Sequence, residues 1–293
     1  MGRARTLVGV TGVAAALALT SAAPAGATVI GTAHGFKYVQ HTLSIAGGGA
    51  PWSDAVTCGS GWVAQSGGTV STGFPGDESE TTNMVGPFRV TWTSAGYNVG
   101  FGKSLSTVAM CTIDTGRVDF VSNRVAVGAG THGNPAIATA DAACPGSGQV
   151  AAGGVKVEGS VVDAHVSGSF PVAAAQSWRA TVVNEGAARH FTVRAQCLPA
   201  LAPITDVSRG SFTQPANPAG FSVDINCPAA GETPISGGLK WGGNLVNVRI
   251  GTAGPIDSAG TVNTIPDHAW RVGTANLAGA AKTGTAYVIC KPA

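Results

Sequence analysis

The sequence predicts an all-β protein built from three related units, and three observations lead to this prediction. Pairs of cysteines recur around a tryptophan at nearly constant spacing. Short segments alternate apolar and polar residues with a period of two, as half-buried strands do. Glycine, proline, asparagine and serine separate these segments at intervals typical of turns. We expect either a prism of sheets or a row of sandwiches, with each unit stapled by one disulfide.

The composition indicates a folded chain without a membrane span or a nucleic-acid partner. Of 293 residues, 44% are hydrophobic and 11% are charged, whereas disorder combines low hydrophobicity with high net charge. Beyond the N-terminal segment, no apolar run approaches the roughly 20 residues that cross a bilayer. No cluster of lysine and arginine offers a surface for phosphates.

Residues 1–27 have the features of an export signal. A basic start precedes an apolar stretch at 7–19, and small residues at 25–27 supply a cleavage site. The mature chain then begins near Thr28 and is close to neutral, because the signal carries two arginines and no acidic residue. We expect a secreted protein, extracellular or associated with the cell wall, in an oxidising setting where an even number of cysteines is paired.

One pattern of cysteine and tryptophan occurs three times. Tryptophan follows the first cysteine by 34 positions and precedes the second by 19 in two copies; in the third copy the spacings are 43 and 20, consistent with an insertion. A glycine pair and an asparagine keep the same phase. The members are Cys58, Gly67-Gly68, Trp92, Asn98 and Cys111; Cys144, Gly153-Gly154, Trp178, Asn184 and Cys197; Cys227, Gly237-Gly238, Trp270, Asn276 and Cys290. This self-similarity predicts units at 28–115, 116–200 and 201–293.

Symmetry narrows the disulfide pairing to three patterns. If like units pair alike, either each unit closes on itself or the bonds link neighbouring units in one of two rotations. Closure within each unit is the simplest pattern. It joins Cys58 to Cys111, Cys144 to Cys197 and Cys227 to Cys290. No Cys-x-x-Cys occurs, so we expect structural rather than redox-active cysteines.

The repeat resembles that of a family of secreted actinobacterial proteins, with the order Cys-Pro, Gly-Gly, Trp, Asn, Cys. The residues that carry the resemblance are Cys144-Pro145, Gly153-Gly154, Trp178, Asn184 and Cys197. The resemblance covers nearly all of the mature chain, although Gly59 replaces the proline of the first copy. It implies a secreted, disulfide-stapled β module and no catalytic residue. A looser likeness is to the three-sheet prism of the egg vitelline outer-layer protein, and it implies nothing about function.

We find no recognisable catalytic, metal or cofactor motif, and we expect no such site. The six histidines are scattered. His165 near Asp163, and His268 beside Asp267, are the pairs that an acid/base site would use, but we interpret them as core or surface histidines. The acidic run at 77–80 lacks the spacing of a calcium loop, so we interpret it as a solvated loop.

The tryptophans fall into two classes. The three repeated ones stand at equal positions in a glycine-rich unit, which favours core anchors over sugar-stacking platforms. We expect the asparagine after each of them in a turn, because asparagine tolerates left-handed backbone. The remaining tryptophans are not required by a shared fold and, if exposed, are the candidates for ligand contact. They are Trp52, Trp62 and Trp241.

We expect a non-catalytic binding or cell-surface protein that recognises glycan, cell wall or another protein, with multivalency from the three copies. The alternatives are a secreted hydrolase whose site is assembled from distant loops, and a secreted protein inhibitor. Specificity is expected in the longer stretch at 244–267 of the third unit. Shortening 251–260 is expected to leave folding intact.

Overall fold

The computed structural model describes residues 26–71, 78–86, 89–113, 118–159, 162–199, 205–216 and 220–292, with the side chains of Glu78 and 205–209 left out. Most of the expected export signal therefore lies outside the described residues. Strands dominate, and a single 3-10 turn is present at Ala173–Ala175 in this part of the chain. No helix within the described ranges is long and apolar enough to cross a membrane. The all-β prediction is confirmed.

Nineteen strands are described, and all of their pairings are antiparallel. They are β1 Thr28–Ala33, β2 Phe36–Ile45, β3 Ala50–Thr57, β4 Trp62–Ser71, β5 Glu78–Val85, β6 Thr91–Asn98, β7 Lys103–Ile113, β8 Asp119–Val127, β9 Ala136–Ala143, β10 Gln149–Val157, β11 Ala164–Val172, β12 Ser177–Asn184, β13 Arg189–Leu198, β14 Thr205–Gln214, β15 Phe221–Asn226, β16 Thr233–Trp241, β17 Val248–Ile256, β18 Ala269–Asn276 and β19 Lys282–Lys291.

The same arrangement of strands occurs three times along the chain. Each copy contributes two sets of three hydrogen-bonded strands, and the two sets interleave along the chain. The first sets are β2-β7-β4, β8-β13-β10 and β14-β19-β16, and the second sets are β3-β6-β5, β9-β12-β11 and β15-β18-β17. The period-two pattern explains how these strands bury one side, since Phe191, Val193 and Ala195 of β13 are buried while Thr192 and Arg194 are half-buried.

The second set of each copy lies beside the first set of the next copy, and this builds three faces around an axis. Face 1 is β3-β6-β5-β10-β13-β8, and face 2 is β9-β12-β11-β16-β19-β14. Face 3 brings β15-β18-β17 against β4-β7-β2-β1, so it combines the two ends of the chain. At this third junction β17 packs against β4, but the two strands belong to separate hydrogen-bonded sheets. The result is a prism rather than a row of sandwiches.

The disulfides close within each copy, as predicted. Cys58 bonds Cys111, Cys144 bonds Cys197 and Cys227 bonds Cys290. In each bond, the first cysteine directly follows the opening strand of the second set, and the second cysteine lies in the central strand of the first set. These two sets belong to different faces. The three bonds therefore link face 1 to face 3, face 2 to face 1, and face 3 to face 2.

The glycine pairs allow two close contacts per copy. A Cβ on the first glycine of each pair would lie within 2.2–2.6 Å of the ring of the repeated tryptophan, as with Gly153 and Trp178. A Cβ on the second would meet backbone of the neighbouring copy, as Gly154 would meet the Asn83 carbonyl oxygen at 1.9 Å. Trp92, Trp178 and Trp270 are each 1% exposed, which confirms their role in the core.

The repeated asparagines end strands β6, β12 and β18 and are fully buried. The Asn184 amide donates to the backbone carbonyls of Gly128 and Ala187 at 2.7 and 2.9 Å. Asn98 and Asn276 bridge the two equivalent loops in the same way. None of the three has a positive φ. The expectation of left-handed turn residues is wrong: asparagine is used here for its side-chain amide, which ties two loops together.

Glu80 is a buried acid near the axis. Glu80 stands immediately before a β-bulge, as Val166 and Ile250 do in the other copies, so the three positions are equivalent. Glu80 lines a cavity of about 10 Å³ together with the three repeated tryptophans, and its Oε1 has no hydrogen-bond partner. Burial raises the pKa of Glu80 well above its usual range. The interpretation of the acidic run as a solvated loop is therefore wrong for Glu80, whereas Asp77 lies outside the described residues.

The insertion of the third copy is the connection between β17 and β18, at 257–268; the equivalent connections are 86–90 and 173–176. Asp257, 3% exposed, accepts hydrogen bonds from the backbone and hydroxyl groups of Thr261 and Thr264. Burial acts to raise the pKa of Asp257, but these hydrogen bonds outweigh it and lower the pKa to about 2. Residues 251–256 belong to β17, so the expectation that 251–260 can be shortened without affecting the fold is wrong.

The disulfide arrangement predicts a local effect of removing one bond. The double variant Cys144→Ser/Cys197→Ser should lose about 2–5 kcal/mol of unfolding free energy, because the chain gains freedom when a 53-residue link is opened. Hydrogen exchange should accelerate first in β9 and β13, where faces 1 and 2 meet. A uniform acceleration of exchange over all three faces would contradict a local role for this disulfide.

Glu80 predicts a loss of stability with rising pH. Its raised pKa means that the folded state holds a proton which the unfolded state releases above about pH 4.5. Above that pH, the unfolding free energy of the wild type should therefore fall relative to that of Glu80→Gln, by up to about 1.4 kcal/mol per pH unit. Burial lowers the pKa of His165 to about 3, so His165 contributes an opposite pH dependence to the stability. This contribution cancels when the variant and the wild type are compared at the same pH, because both contain His165.

Chemical denaturation between pH 4 and 8 measures this difference. Glu158→Gln is the matched control, because the hydrogen bond from Arg124 lowers the pKa of Glu158 instead. A constant difference between Glu80→Gln and wild type would show that the Glu80 carboxyl is solvated in the folded state.

Candidate functional site

The candidate tryptophans occupy three different environments. Trp52 and Trp241 are buried, with 6% and 3% of their surface exposed. Trp62 is half-buried beneath the amine of Lys37, which lies 4.4 Å from its ring centroid. None of them is an open stacking platform. Trp241 alone lines one of the open grooves described below.

The groove beside Trp241, which we call the tryptophan groove, crosses four strands of face 2 where two copies of the repeat meet. Its volume is about 180 Å³. Strand register places Thr139, Thr181, Gly168 and Lys240 in one row across β9, β12, β11 and β16. Cross-strand partners share a face of a sheet, so these four positions point the same way.

The groove has this shape because Gly168 forms its floor. A Cβ on Gly168 would meet only ordinary contacts, the nearest 3.6 Å away on Thr181, so the position is open rather than crowded. At the equivalent position of face 1, opposite Lys156, stands Thr82. The absence of a side chain in one copy therefore opens a depression about 180 Å³ in volume at the second junction.

The groove presents hydroxyl groups and one neutralised cation. The hydroxyls of Thr139 and Thr181 are hydrogen-bonded to each other at 2.9 Å. Arg179 donates two hydrogen bonds to Asp141, at 2.6 and 2.7 Å. This hydrogen bonding raises the pKa of Arg179 against the opposing effect of burial. The Arg179 charge is thus balanced within the protein.

Lys240 and Trp241 differ from this balanced pair. The Lys240 amine lies 6.0 Å from the ring centroid of Phe170, and the described residues provide it with no ion-pair partner. The ring of Trp241 packs edge-on against Phe212 at 5.5 Å, and its indole Nε1 is buried without a hydrogen-bond partner, as are those of Trp52 and Trp270.

A second depression, which we call the histidine cleft, lies between the β1–β2 turn, the turn after β15 and the insertion. Its volume of about 360 Å³ is twice that of the tryptophan groove, and it is lined by His34, Glu232, Asp267 and His268. His34 Nε2 and Asp267 Oδ2 are 3.1 Å apart. Among the described residues, the one cluster of three possible metal ligands is Cys227, Glu232 and Cys290, and its cysteines are joined in a disulfide.

The histidine pairs considered from the sequence are not formed. His165 is 1% exposed, and Asp163 binds Arg189 at 2.6 Å instead. Burial lowers the pKa of His165 to about 3, so it is a neutral core histidine at physiological pH. Asp267 pairs with His34 rather than with its neighbour His268. Sequence reasoning missed this pair because its members are 233 positions apart.

No protein-family model matches this chain, and no curated protein matches it either. The function of the tryptophan groove and of the histidine cleft is therefore inferred from the residues that line them.

Proposed function

We propose that this chain is an extracellular, non-catalytic binding protein that recognises glycan, and that the tryptophan groove is its binding site. The export signal expected at 1–27 and the three disulfides support an oxidising location outside the cell. The likeness to secreted actinobacterial repeat proteins is part of the same proposal.

The observation that carries the proposal is the pair of hydroxyls, Thr139 and Thr181, beside the open floor at Gly168. A hydroxyl can both donate and accept hydrogen bonds, which suits the hydroxyls of a sugar. The buried ring of Trp241 forms part of the wall of the same groove.

The size of the groove favours a sugar over a protein partner. At about 180 Å³ it is smaller than the roughly 300–1,000 Å³ of sites for drug-sized ligands, so it holds one or two small polar rings. A stable protein interface needs about 1,200 Å² or more of buried surface, and a depression of this size supplies little of it. Leu245, from the stretch expected to carry specificity, forms part of the wall.

Filling the groove should abolish binding without unfolding the protein. In Gly168→Val the added methyl groups occupy the floor, and the β-branched side chain suits a strand. We expect at least a tenfold loss of affinity on an array of soluble glycans for the oxidised chain 28–293, with an unchanged melting temperature. Undiminished binding by Gly168→Val would exclude the groove as the site.

The histidine cleft supports a second candidate function, a hydrolase. Two histidines and two carboxylates from three distant segments converge there, as expected of a site assembled from loops. Turnover of ester, peptide or glycan substrates by the pure protein, lost in His34→Ala and retained in Gly168→Val, would establish this function. Activity that survives both His34→Ala and His268→Ala would exclude the cleft as a catalytic site.

A further inference from the structure

We infer that the tryptophan groove selects acidic sugars, with Lys240 binding the carboxylate of a uronic acid or a related acidic residue. This inference rests on the proposed glycan-binding function. It begins from the charges around the groove. The lining contains two cations and no carboxylate, and the charge of Arg179 is already balanced by Asp141. The remaining positive charge is that of Lys240.

The corresponding lysine of face 1 has an acid near it in the sequence. Lys156 occupies the position equivalent to Lys240, opposite Thr82 as Lys240 is opposite Gly168. Glu158 follows two positions later, just after the end of β10; its pKa is lowered chiefly by the hydrogen bond from Arg124 and, by a smaller amount, by the charge of Lys156. The residue two positions after Lys240 is Gly242, so face 2 has no acid at this position.

The geometry places this charge at the edge of the groove floor. Lys240 lies directly across from Gly168 in the register of β16 and β11, and its amine lies over the ring of Phe170. A sugar ring resting over Gly168 has the amine on one side and the Thr181 hydroxyl on the other, because Thr181 is the other cross-strand partner of Gly168. A carboxylate on that ring can form a charge-assisted hydrogen bond with the amine.

A panel of acidic polysaccharides and their carboxyl-reduced forms tests this selectivity. The probes are polygalacturonate, alginate and hyaluronan, each compared with the same polymer after its carboxylates are reduced to hydroxymethyl groups; a sulfated dextran tests whether any anion suffices. We expect the wild-type chain to bind at least one acid polymer about tenfold or more tightly than its reduced form. This preference should shrink as salt is added.

Variants of Lys240 and Lys156 distinguish binding at the inferred site from nonspecific electrostatic attraction. Lys240→Met should bind the acid polymer and its reduced form equally, and Lys240→Arg should keep part of the preference for the acid. Lys156→Met is the matched control and should behave as wild type. A preference that persists in Lys240→Met, or an equally tight binding of dextran sulfate, would overturn the assignment of a carboxylate to Lys240.

The outcomes also distinguish this inference from the function on which it rests. Equal binding of acid and reduced polymers would refute the selectivity and leave glycan binding in place. Absence of binding to every acid, reduced and neutral glycan of the array would refute the proposed function itself.

Discussion

The close contact between glycine and tryptophan is the constraint on which the rest of the prism depends. In each copy a tryptophan from one face packs on a glycine from the adjacent face, where any side chain would collide with its ring. The next glycine lets the neighbouring copy approach to backbone contact. Two consecutive residues without side chains thus set both the packing within a copy and the distance between copies. Because both contacts occur three times, they fix the cross-section of the core.

The copies are not equivalent, and one of their differences lies where the threefold pattern meets the two ends of the chain. The junction of β17 and β4 lacks the hydrogen-bonded pairing that joins β5 to β10 and β11 to β16. The insertion makes its contacts at the other edge of the same sheet, with β1. Ile265 packs close to Gly31 of β1, and Asp267 binds His34 of the β1–β2 turn. A longer connection in the last copy therefore holds the first strand of the chain in place.

The repeat made the fold, the disulfides and the core tryptophans predictable, because each depends on spacing within one copy. The groove was only partly predictable. The sequence points to Trp241 because this residue breaks the repeat, but Gly168 and Lys240 come together only through the pairing of β11 with β16, which joins different copies. For Asn184 the sequence suggests a turn, because asparagine tolerates left-handed backbone, whereas the structure uses its side-chain amide. For Glu80 the neighbouring acids suggest solvent, whereas its bulged strand turns it toward the axis.

Face 3 has a consequence for the order in which the molecule can assemble. A chain made from its N-terminus produces β4 early, but its neighbour β17 arrives about 180 positions later, after two other faces have been started. During that interval the edge of β4 is open, and an open strand edge pairs readily with other chains. Chains cut short before the third copy would keep that edge exposed. The last copy therefore covers a strand edge of the first copy. An incomplete chain, in which this edge stays exposed, is expected to associate with other incomplete chains.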